Sequence, residues 1–67
     1  MNANLLKSVM VKQGVSVDAL ADKVGINRAT MYRKVNDLDK VKIGEAKKIK
    51  AALNLSDEDA IAIFLLN

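Results

Sequence analysis

VDALADKVGINRATMYRKVN, residues 17–36, reads as two short helices joined by a tight turn at Gly25. Apolar Val17, Leu20, Ala21 and Val24 recur at i, i+3, i+4 and i+7, the stripe of a 3.6-residue period. Ser16 stands where an N-cap belongs, with a hydroxyl free to accept an amide of the first turn. Gly25 ends that helix, because a residue without a β-carbon enters the left-handed conformation at no steric cost. Asn27 then caps a second helix whose inward positions are Met31 and Val35. Apolar faces on both sides of a fixed turn predict two helices packed at a steep angle, the helix-turn-helix geometry.

The flanking segments supply what this pair lacks. NLLKSVMVKQG places Leu5, Leu6, Val9 and Met10 on one helical stripe, with Lys7 and Lys12 outward and Gly14 as the stop. That helix is expected to cover the pair from behind. DLDKVKI, residues 37–43, alternates apolar residues but has no second strand to pair with. It reads as a loop in which Leu38, Val41 and Ile43 plug the edge of the core. GEAKKIKAALN is a helix with Gly44 as N-cap and Glu45 at the positive end of the dipole. Ala46, Ile49 and Leu53 face inward, Lys47, Lys48 and Lys50 face outward, and Asn54 takes the left-handed cap. SDEDAIAIFLLN opens with Ser56 and three acids, a strong helix start with Asp59 near a capping-box position.

Composition narrows the classes. Sixty-seven residues make one small domain, expected to span 1–67, whether a whole protein or the excised part of a longer one. Only Tyr32 and Phe64 are aromatic and proline is absent, which favours an aliphatic core in an all-α fold. Without cysteine or histidine there is no disulfide, zinc finger, thiol nucleophile or imidazole base. No metal or cofactor is expected. Ser8, Ser16 and Ser56 have no histidine to activate them, so an enzyme is the weakest class. No apolar run approaches the roughly 18–20 residues of a membrane span, and no signal peptide is evident. A cytoplasmic, nucleoid-associated protein is the expectation.

The net charge of +3 is unevenly placed. All eleven basic side chains lie in residues 1–55, whereas Asp57, Glu58 and Asp59 stand in the tail. A basic body suits a polyanion, although a solvated lysine surface would look the same. The tail raises a second question. All seven residues from Ala60 to Leu66 are apolar, more than one helix face can bury. Some of Ile63, Phe64, Leu65 and Leu66 are therefore expected at the surface as a dimer or partner interface. The alternative is a tail that wraps over a small core.

Ala21, Gly25, Met31 and Val35 match the small, glycine and apolar positions of the lambda-repressor-like (Cro/CI, or XRE-type) helix-turn-helix family. GINRATMYRKVN resembles the second helix of small phage and prophage repressors of that family. The resemblance covers the whole chain and implies a compact five-helix domain that binds double-stranded operator DNA. On a helix beginning after Asn27, Ala29 and Arg33 point away from Met31 and Val35, Thr30 and Tyr32 flank them, and Arg28 projects from the first turn. The resemblance carries base contact onto Arg28, Ala29 and Arg33, and Thr30 joins them from its flank. An arginine fork fits guanine O6 and N7, and an alanine methyl can meet that of thymine. Backbone contact is expected from Asn27, Tyr32, Lys34 and Asn36, and from Lys40 and Lys42 in the loop that follows. Tyr32 is equally suited to packing along the helix flank. Val17 stands where many members carry a phosphate-pinning glutamine, so that contact is not carried over, and Ser16 is its candidate replacement.

These readings imply a sequence-specific repressor acting by operator occupancy, homodimeric at least on DNA, with no membrane role. The alternative is an interaction module that grips a partner repressor through its apolar tail, as a modulator or antitoxin would.

Overall fold

A computed structural model describes residues 1–65. Five helices follow one another: α1 (Ala3–Gln13), α2 (Val17–Val24), α3 (Arg28–Asn36), α4 (Ile43–Ala52) and α5 (Asp57–Phe64). A single 3₁₀ turn, Leu38–Lys40, joins α3 to α4. The fold is all-helical, as the periodicity implied. α2 packs against α3 and α4, while α1 packs against α3 and α5. Every helix contributes to the buried core, through Leu6 and Met10, Leu20 and Val24, Met31 and Val35, Ala46 and Ile49, and Ala60, Ile63 and Phe64.

Chain reversals are set by left-handed residues. Gly14 (φ 68°), Gly25 (φ 76°) and Asn54 (φ 50°) follow α1, α2 and α4. After each, an apolar residue donates its amide back into the helix it leaves. Val15 bonds the Met10 carbonyl at 2.9 Å, Ile26 that of Ala21 at 3.0 Å, and Leu55 that of Lys50 at 2.9 Å. The closure satisfies a terminal carbonyl and delivers the following side chain to the core. Helix starts are equally local. The side-chain oxygens of Ser16, Asn27 and Ser56 accept the amides of Ala19, Thr30 and Asp59 at 3.0–3.2 Å.

Two expectations about the connection to α4 are corrected. The helix begins at Ile43 rather than after Gly44, because the Glu45 carboxylate accepts the Lys42 amide at 3.0 Å and closes the end there. Gly44 therefore sits inside the first turn. Leu38 is buried and Val41 packs on the core, but Ile43 is 66% exposed and plugs nothing.

The tail resolves in favour of its alternative for two residues. Ile63 (0% exposed) and Phe64 (4%) belong to the core and are not the free surface that the apolar run suggested. The reason is α1, which lies alongside α5 and is tied to it where the Asn2 amide donates to the Ile63 carbonyl at 2.8 Å. Leu65, 64% exposed, and Ile61, 44% exposed, take the outer side. Leu66 lies outside the described residues.

Candidate DNA interface

The α2–turn–α3 unit is held from within by Leu20, Ala21, Val24, Met31 and Val35, all buried. With Met31 and Val35 turned inward, the period of α3 points Ala29 and Arg33 outward, with Tyr32 exposed and Thr30 half-buried on their flanks; Arg28 shares the Met31 stripe and is exposed because it opens the first turn. Of the four expected base-reading residues, Ala29, Thr30 and Arg33 lie on the side away from the core, and Arg28 stands at its N-terminal edge. Arg33 extends along it, its Nη2 donating to Thr30 Oγ1 at 3.4 Å. Tyr32 remains about half exposed on the flank.

Arg28 is not a free cation. Its Nε and Nη2 donate to the two carboxylate oxygens of Asp22 at 3.3 and 2.7 Å, and Asp18 lies 3.7 Å from Nη1. Asp22 stabilises the charged guanidinium and raises its already high pKa, while Arg28 lowers that of the Asp22 carboxyl. Neither acid stood out in the sequence. The available signal was their i, i+4 spacing on the outer side of α2, facing the start of the next helix.

The expected backbone contacts divide into free and engaged groups. Lys40 and Lys42 are exposed just beyond α3. Lys34, expected at the DNA backbone, is engaged within the fold: its ammonium sits 2.6 Å from both oxygens of Glu45, and the two side chains are only 15% and 20% exposed. It clamps α3 to α4 instead of reaching outward. Glu45 is held below the ordinary glutamate range, first by Lys34 and then by the Lys42 amide. Asn36 accepts from Lys7 Nζ at 2.7 Å and donates to the Tyr32 carbonyl at 2.9 Å, so both ends of its amide are engaged. Lys7, on the outward side of α1 in the sequence pattern, finds this partner 29 positions away. Ser16 and Asn27 use their oxygens as helix caps, which leaves the Asn27 side-chain NH₂ as an outward donor.

Among the described residues no cluster of acids could hold a metal ion, and no helix is long and apolar enough to cross a membrane. What the site offers is an exposed helix face bearing Arg33, with Arg28 at its N-terminal edge, set on the left-handed turn at Gly25. No curated protein and no solved structure matches the chain. A family model described as the Cro/C1-type HTH DNA-binding domain does match, over residues 5–63, from within α1 to near the end of α5. With its helix order, its Gly25 turn and that match in agreement, the chain belongs to the Cro/C1-type helix-turn-helix DNA-binding family.

Proposed function

We propose that this domain is a sequence-specific regulator of transcription, a small Cro-like repressor of phage or prophage origin that acts by occupying an operator. The observation that carries the reading is the division of α3. Met31 and Val35 anchor the helix in the core, while Arg28, Ala29, Thr30 and Arg33 line the side left open to a major groove. Lys40, Lys42 and the Asn27 side-chain amide flank that side and suit phosphate contact. A single helix-turn-helix touches too few base pairs to find one operator among a genome's competing sites. The domain therefore acts as a pair on a near-palindromic site, with half-sites about one helical turn apart. Exposed Leu65 and Ile61 at the end of α5 are the apolar residues we assign to that pairing.

The test is selection of bound duplexes from a random pool, followed by titration of the enriched sequence and of a scrambled one across salt concentrations. Enrichment of a two-half-site motif, relaxed at one base pair per half-site by Arg33→Ala, is the expected result. A pool that yields no motif, with equal affinity for both duplexes, would overturn the reading.

A further inference from the structure

Two acids of α2 stand beside the first residue of the reading helix. Asp18 and Asp22 lie one turn apart, and both approach the Arg28 guanidinium. All three side chains are about half exposed or more. Exposed ion pairs contribute little to stability, so the cluster is poorly explained as a brace for the fold.

Its geometry suits a different task. A guanidinium presents two edges on which a pair of parallel N–H groups can be donated, one formed by Nε with Nη2 and one by Nη1 with Nη2. Asp22 occupies the first edge, at 3.3 and 2.7 Å. Asp18, at 3.7 Å from Nη1, is beyond hydrogen-bond length and does not consume the second. The edge left open has the spacing that meets O6 and N7 of a guanine side by side. The charge balance adds to this. Two carboxylates around one guanidinium make this corner net negative on an otherwise basic body, which repels phosphate while leaving a neutral base edge acceptable.

We propose that Asp22 is a positioning residue for base reading: it fixes the Arg28 fork toward a guanine edge and, with Asp18, holds it off the phosphate backbone. The proposal rests on the reading of α3 as the groove-facing helix.

The experiment uses the full chain and the duplex selected as above. Affinities are measured for the parent, Arg28→Ala, Asp22→Ala, the double variant and Arg33→Ala. The probes are that duplex, its single-base variants and a random duplex of equal length. Asp22→Ala should lose about tenfold in discrimination at the base pair that Arg28→Ala also relaxes. It should bind the random duplex several-fold more tightly, with a salt dependence steeper by about one ion. In the Arg28→Ala background, removing Asp22 should change discrimination no further. If Arg28→Ala relaxes one base pair and Asp22→Ala leaves it intact, the positioning role is wrong although α3 still reads DNA. If instead Arg28→Ala and Arg33→Ala both keep every base preference, the reading of α3 fails and this proposal falls with it. Melting curves should be indistinguishable among the Asp22 variants and the parent, since neither partner is buried.

Discussion

The same chemical change at two glycines should shift stability in opposite directions. Gly25 holds φ at +76°, and a β-carbon built on it meets no atom within 4 Å. No clash contributes to the effect of Gly25→Ala, only the backbone term. The left-handed conformation costs an L-residue about 1–2 kcal/mol. The stiffer unfolded chain returns roughly 0.4–1 kcal/mol, which leaves a net loss of about 1 kcal/mol. At Gly44 the surroundings are equally open, but the backbone is helical. There the unfolded-state term is unopposed, and the helix propensity of alanine over glycine expresses that same entropy, so Gly44→Ala should gain about 0.5–1 kcal/mol. For a domain of this size 1 kcal/mol corresponds to a Tm change of about 4–8 °C. Thermal unfolding followed by circular dichroism should therefore show Gly25→Ala below the parent and Gly44→Ala above it. Gly25→Asn should fall between Gly25→Ala and the parent, because asparagine tolerates the left-handed region. The Gly44 arm also tests the start of α4: an N-cap glycine would be worse as alanine, not better. Shifts of the same sign at both sites would refute the argument from backbone conformation.

Phe64→Ala should cost about 3–5 kcal/mol, and a chain truncated after Ile61 should not fold, since both Ile63 and Phe64 are lost from the core; a folded truncation, seen by the same melts, would contradict their burial. Leu65→Ser should leave Tm near the parent value but weaken cooperative binding to a two-half-site duplex, read by sedimentation and gel shift. Lys40→Ala should weaken all sequences alike and flatten the salt dependence by about one ion, whereas Lys34→Ala should act on Tm and leave that slope unchanged. Glu45 titrates below its ordinary range in the fold, so its stabilising effect is complete above the unfolded value of about 4.3 and is lost as pH falls through the folded value. Glu45→Gln should accordingly be less stable than the parent at neutral pH and converge on it in acid, as checked by urea titrations across pH.

Much of the fold was legible because its signals are local. The stripe of α2, the caps at Ser16, Asn27 and Ser56, and the left-handed Gly14, Gly25 and Asn54 each act within about one helical turn. The outward face of α3 followed from the same period once Met31 and Val35 were turned inward. Less was legible where the pattern lacked contrast or the partner was distant. Seven apolar residues in a row give a helical wheel no polar side, so the choice of Ile63 and Phe64 as the buried pair could not be read from them. Lys34 looked as free as Lys40, because nothing within one turn of it in the chain reveals the carboxylate 11 positions on.

The sequence alone determined most helix ends, the residues that stop them, and the side of α3 that Met31 and Val35 leave to solvent. Those outcomes depend on dihedral preference, capping and a 3.6-residue repeat, all encoded by near neighbours. Tertiary structure decided which charges remain available. Packing α3 and α4 together on α2 brings Glu45 to Lys34, placing α1 behind α3 brings Lys7 to Asn36, and the turn at Gly25 sets Asp22 against Arg28. A charged side chain several bonds long takes whichever partner the folded backbone brings within about 3 Å. That partner is chosen by how the helices meet, so the division between groups held inside the protein and groups left for DNA exists only once they have.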